Sequence, residues 1–120
     1  MNKTVLVIED SRFLRKSIEL SLVNRGFQVI TAADGEEGLQ LALAMQPDII
    51  ITDWFVPKLS GAPLMQKLQE DARTCGIPVF VISARIQSKD TRISDAPNAM
   101  GFFPKDSMVL DQLVETLLNI

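Results

Sequence analysis

Ile49-Ile50-Ile51-Thr52-Asp53 (IIITD) sets four β-branched residues in a row and then ends on a carboxylate. A strand with one wet face alternates apolar and polar side chains, so a run without alternation implies a strand covered on both faces, as in parallel sheets. Val5-Leu6-Val7-Ile8, Val29-Ile30-Thr31 and Val79-Phe80-Val81-Ile82 have the same character, and Gly101-Phe102-Phe103 is a shorter fifth candidate. Helix-length segments separate them. Ser11 opens one that closes at Gly26, and Asp34 with Glu37 three residues later forms a capping box ahead of Leu39. Pro47 marks where that second helix has ended. A third helix begins near Ser60, because Pro63 fits only a first turn and Leu64 and Leu68 then share a face. The last runs from about Ser107 to Asn119. Between Arg85 and Ala96 the only large apolar side chains are Ile86 and Ile93, so a helix there would be weakly anchored. Strands alternating with helices of this length predict right-handed crossovers and an open parallel sheet with its ligand site at the carboxyl ends of the strands.

Composition narrows the function. The 120 residues, 47% of them hydrophobic, suffice for one domain spanning 1–120 with one core. The longest apolar run, Leu41 to Met45, is far short of the ~20 residues that a bilayer span needs, and the stretch after Lys3 breaks at Glu9-Asp10, unlike a signal peptide. Cys75 has no second cysteine to bridge with, which fits the reducing cytoplasm. A net charge of -3, with lysines and arginines scattered along the chain, argues against direct nucleic-acid binding. There is no histidine, so imidazole relays, histidine metal sites and phosphohistidine chemistry on this chain are excluded.

Glu9 and Asp10 follow the first strand, Asp53 the third, Ser83 the fourth and Lys105 the fifth, so all five converge on one edge of the expected sheet. Taken singly each has an ordinary role. Asp53 before Trp54-Phe55-Val56-Pro57 reads as a turn residue, Glu9-Asp10 as a cap for the first helix, Ser83 as a strand-end hydroxyl and Lys105 as a surface lysine. Together they are different. Three gathered carboxylates repel, at about 4 kcal/mol for two unit charges 4 Å apart in an effective dielectric of 20, and so call for a cation. Few ligands, all oxygen, suit a small hard ion that keeps its waters, which is Mg²⁺. An aspartate beside a divalent ion, an ammonium and a hydroxyl is equipped for phosphoryl transfer, with Asp53 as nucleophile.

VLVIEDS at Val5 to Ser11, ADGEEGL at Ala33 to Leu39, IITDWFVPKLSG at Ile50 to Gly61, VFVISA at Val79 to Ala84 and GFFPK at Gly101 to Lys105 resemble the receiver domain of two-component response regulators. The 30 positions from Asp53 to Ser83 and 22 from Ser83 to Lys105 follow the family's spacing. The resemblance covers essentially the entire chain. It implies a flavodoxin-like, doubly wound α/β fold with a five-stranded parallel sheet in the order 2-1-3-4-5 and five helices. It further implies that Asp10, Asp53 and the backbone carbonyl of Phe55 hold Mg²⁺, with Glu9 acting through bound water. Lys105 would pair with the phosphoryl group, Ser83 would swing toward it, and Phe102 would turn inward as the second half of the switch. The phosphodonor would be a histidine kinase or a histidine phosphotransfer protein. The domain would catalyse only its own phosphorylation and dephosphorylation, and so is not a turnover enzyme.

Three departures from the family stand out. Asp106 follows the lysine where proline in a cis linkage is usual; a non-proline cis bond costs about 2.5–4 kcal/mol, so a trans bond and a reshaped loop are expected. Phe55 occupies a place where a smaller or polar side chain is common. Asn98 stands where glycine is frequent, and the final helix has no arginine, which argues against a salt-bridged dimer and for a monomer that binds another protein. The Asp106 departure also keeps a second reading open, a pseudo-receiver that signals by binding alone. Small-molecule enzymes fit poorly, since the first strand is not followed by Asp-x-Asp and no nucleotide loop is present. A start directly before the first strand suits an amino-terminal receiver, and an effector domain after Ile120 stays open.

Overall fold

Every run without alternation forms a strand of one parallel sheet. The computed structural model describes residues 3–59, 61–83, 99–104 and 107–120. In chain order these form β1 (Thr4–Ile8), α1 (Arg12–Asn24), β2 (Gln28–Ala32), α2 (Gly35–Met45), β3 (Ile49–Asp53), α3 (Gly61–Glu70), β4 (Val79–Ser83), β5 (Ala99–Pro104) and α4 (Ser107–Leu118). The strands lie in the order β2-β1-β3-β4-β5, all parallel, as expected. Four helices are described. The fifth, expected between Arg85 and Ala96, lies outside the described residues, as do Asn98, Lys105 and Asp106.

Central placement explains the missing alternation. All five residues of β3 are buried, whereas β2, at the sheet edge, is only partly covered. Successive side chains of a strand point to opposite faces, and this divides the core into two layers. Leu6, Ile8, Ile50, Val79 and Val81 pack with Ala42 of α2 and Leu64, Met65 and Leu68 of α3. Val5, Val7, Ile49, Ile51, Phe80 and Ile82 pack with Ile18 and Leu22 of α1 and Leu113, Val114 and Leu117 of α4. No described helix is long and apolar enough to cross a membrane.

Helix ends follow local chemistry. The Ser11 hydroxyl caps α1 by accepting from the Leu14 amide at 3.3 Å, so the cap is Ser11 and not the acids before it. Asp34 caps α2 through Glu37 N (2.8 Å), while the Glu37 carboxylate reaches back to the amide of Ala33, one residue ahead of the cap. At the other end of α2, Gln46 adopts the left-handed conformation (φ 46°) and its amide donates to Ala42 O, just before Pro47. Beyond α3 the Asp71 carboxylate accepts from the Arg73 amide (2.8 Å) and from its guanidinium (3.0 and 2.9 Å). The Asp71 carbonyl takes the amides of Thr74 and Cys75.

The Arg73 side chain, then its amide, lower the Asp71 carboxyl from 3.8 to about 2. A depressed folded value means that this turn's contribution to stability is complete above the unfolded pKa and is lost as pH falls through the folded one. Asp71→Asn is therefore expected to flatten the loss of stability between pH 3.8 and about 2, read as urea midpoints across that range. An unchanged slope would show that the turn does not contribute.

Candidate acidic site at the ends of the first and third strands

The sheet order makes β1 the strand at which the winding reverses, with β2 on one side and β3 on the other. Ligands of such sheets bind in the crevice where the carboxyl ends of these two strands part. Register brings the acids there. Ile8 pairs with Thr52, so Glu9 and Asp10 leave β1 level with Asp53, the last residue of β3.

Glu9 is fully buried. Its amide donates to Ala32 O at 3.0 Å, Oε2 accepts from the Ser11 amide at 2.8 Å, and its carbonyl accepts from Arg15 Nη1 at 2.8 Å. Asp53 is only 4% exposed, and its Oδ1 accepts from the Phe55 amide at 3.1 Å, which fixes the rotation of the carboxylate. Asp10 is exposed to solvent. One carboxylate oxygen from each of Glu9, Asp10 and Asp53 lies within 4.8 Å of the others. A buried member, a nearly buried one and an exposed one make a half-open bowl of negative charge, and the all-oxygen donor set suits a hard divalent cation.

The loop from β3 to α3 builds the wall. The Trp54 amide continues the ladder to Ile82 O (3.1 Å), and its indole is 8% exposed against Gly61. Phe55 is 36% exposed beside Asp53. Pro57 O accepts from the amides of Gly35 (3.0 Å) and Leu59 (2.8 Å). Lys58, between Pro57 and Leu59, has φ 71°, and its Nζ lies 3.6 Å from Asp34 Oδ2. The Glu37 amide, with the nearby Lys58 ammonium adding to it, holds the Asp34 carboxyl below its ordinary value.

Among the expected site residues, Glu9, Asp10 and Asp53 meet. Ser83 ends β4, one position past the partner of Asp53 in that strand, and Phe102 pairs with Val81 in β5; their side chains, like all of Lys105, lie outside the described residues. The sequence had offered Asp34 only as a cap and given Lys58 no role. Phe13, 84% exposed three residues after Asp10, also went unnoticed.

The family model described as the response regulator receiver domain matches residues 5–118. The chain is 32% identical over 118 residues to the transcriptional regulatory protein AfsQ1 of Streptomyces coelicolor, covering 97% of this chain and 51% of that protein. It is 29% identical over 116 residues to the hybrid signal transduction histidine kinase D of Dictyostelium discoideum, covering 97% of this chain and 7% of that protein. The chain thus spans about half or less of the length of these relatives. Among solved structures, the chemotaxis response regulator CheY4 of Vibrio cholerae superposes with a TM-score of 0.88 at 25% identity, covering 99% of this chain and 98% of that one.

Proposed function

We propose, because the chain belongs to the response regulator receiver domain family, that residues 1–120 form one phosphorylation-operated switch whose acceptor is Asp53. The observation that carries this reading is the meeting of Glu9, Asp10 and Asp53 within 4.8 Å at the point where the sheet reverses its winding. A carboxylate oxygen of Asp53 attacks the phosphorus of a phosphohistidine on a histidine kinase or phosphotransfer protein. The new O–P bond forms as the P–N bond breaks, and the imidazole leaves with its electron pair. Asp10, Asp53 and the Phe55 carbonyl would hold Mg²⁺, with Glu9 acting through water, and the ion would supply charge neutralisation for the carboxylates and the phosphoryl oxygens. The Phe55 amide keeps the acceptor carboxylate in place. Lys105 pairs with the transferred group, and Ser83 and Phe102 carry the change toward β4 and β5.

Exposed Phe13, in the first turn of α1 three residues after Asp10, offers a donor protein an apolar contact. On this reading the domain works in the cytoplasm as a monomer, modifies only itself, and passes its signal to another protein and not to DNA directly. Incubation with acetyl phosphate and Mg²⁺ followed by intact mass measurement tests it, and a gain of one phosphoryl group is expected. A chain that stays unmodified under donors of both kinds, small molecule and protein, would instead be a binding module that works without phosphorylation.

The Phe55 ring stands two residues from the acceptor, where it limits the approach of water to an acyl phosphate. Phe55→Asn is expected to shorten the phosphorylated lifetime several-fold, followed as loss of the phosphoryl mass after removal of the donor. An unchanged or longer lifetime would remove the ring from the mechanism.

A further inference from the structure

Lys58 is held in a conformation that its side chain disfavours. Its φ of 71° lies in the left-handed region, where a residue with a Cβ is strained, and the 2.8 Å hydrogen bond from the Leu59 amide to Pro57 O closes a three-residue turn around it. Such a conformation persists only where the surroundings over-determine it. Val56 and Leu59 anchor the flanks of Lys58 in the core, and the start of α2 holds the turn itself. The Gly35 amide donates to Pro57 O, the Leu59 carbonyl lies directly against the Gly35 Cα, and the Lys58 ammonium faces Asp34 Oδ2 at 3.6 Å. Asp34 therefore has two roles at once: Oδ1 caps α2 through Glu37 N, and Oδ2 receives the lysine.

The segment fixed in this way leads directly back to the acidic bowl. Two residues separate Phe55 from Lys58, and the residue before Phe55, Trp54, is pinned by its indole against Gly61 on the far side of the turn. The loop is thus anchored at Trp54, at Val56, which is 2% exposed in the core, and at the turn around Lys58, and the Phe55 carbonyl lies between these anchors. We propose that Lys58 and Asp34 form a positioning pair that orients the β3–α3 loop toward a divalent cation and so sets the cation affinity of the Glu9–Asp10–Asp53 site. The inference rests on the reading of that site as the Mg²⁺ site given above.

Electrostatics alone predicts the opposite sign. A lysine on the loop that follows Asp53 adds positive charge that opposes a cation, so removing its charge should tighten binding. Loss of positioning should loosen it. Stability separates the two further, because glycine adopts a φ of 71° without the cost that lysine bears. Lys58→Gly is expected to be at least as stable as the wild type and yet to bind Mg²⁺ more weakly. Lys58→Met, which keeps the length and loses the charge, should also bind more weakly. For each the expected loss is about two- to fivefold, the range open to an exposed ion pair. Lys58→Arg should restore binding close to that of the wild type.

The readout is MgCl2 titration of the emission of Trp54, the single tryptophan and the neighbour of Asp53, with thermal unfolding of each variant alongside. Weaker binding in the glycine and methionine variants with recovery in the arginine variant supports the pair. Equal or tighter binding in Lys58→Gly and Lys58→Met, against a wild type that responds, overturns the pair and leaves the site intact. A wild type in which neither emission nor unfolding temperature responds to Mg²⁺ overturns the cation reading and this inference with it.

Discussion

Asp53→Asn is expected to gain no phosphoryl group from acetyl phosphate and Mg²⁺, and to unfold at a higher temperature than the wild type when divalent cations are chelated. Loss of modification follows from the removal of the nucleophile, since the amide that replaces the carboxylate does not attack phosphorus. The gain in stability follows from charge. Three carboxylates within 4.8 Å, one fully buried and one 4% exposed, repel by a fraction of the ~4 kcal/mol that two unit charges exert 4 Å apart at an effective dielectric of 20. Neutralising Asp53 relieves that repulsion, and each kcal/mol appears as about 4 °C in a domain of this size. Added Mg²⁺ should then raise the unfolding temperature of the wild type more than that of the variant, because a ligand stabilises only the state it binds. A phosphoryl group that persists in Asp53→Asn would place the acceptor elsewhere. A lower unfolding temperature without cations would mean that the carboxylate supports the fold more than it strains it.

Gly35→Ala should be the most damaging alanine substitution among the described glycines. Gly35 is the first residue of α2, where alanine would ordinarily favour the helix by about 1 kcal/mol. The sign reverses here. A Cβ at this position would stand 1.5 Å from the Leu59 carbonyl oxygen and 2.5 Å from its carbon, and both are backbone atoms that move only if the loop moves. Overpacking of this kind costs about 1–3 kcal/mol and sometimes more, and the displaced loop also takes Lys58 away from Asp34. Gly76→Ala is the control, since nothing lies within 4 Å of its Cβ, and it should be neutral or gain about 0.4–1 kcal/mol. Urea midpoints of the two variants decide the matter. Equal midpoints would show that the loop yields freely.

The sheet was legible because its evidence is local to each strand. Four short runs without alternation have one physical solution, burial on both faces, and strands separated by single helices can be parallel. The three acids were legible for the same reason, since residues just past the carboxyl ends of parallel strands share one rim. Helix starts could be read from Ser11 and Asp34, whose oxygens reach amides only three residues away. The C-terminal end of α2 was less legible. Pro47 announced that the helix was over, but a left-handed glutamine at 46 has no sequence signal of the kind glycine gives. The Asp34–Lys58 pair was hidden more deeply, because it depends on a lysine with a positive φ and on two loops 24 positions apart in the chain meeting edge to edge. Phe13 was hidden for the converse reason. An apolar residue in the first turn of a helix reads as core until the direction of that turn is known.

Ile50 and Ile51 are neighbours in sequence, yet each belongs to a different half of the molecule, the first to the layer under α2 and α3 and the second to the layer under α1 and α4. A sheet one residue thick therefore acts as a partition. Changes packed behind one side need not be felt by side chains on the other, since sites without shared neighbours perturb stability almost independently. Helices on one flank can thus change their outward faces for new associates without repacking the other, provided that the ends of α1 and α2 that hold the acidic rim stay as they are.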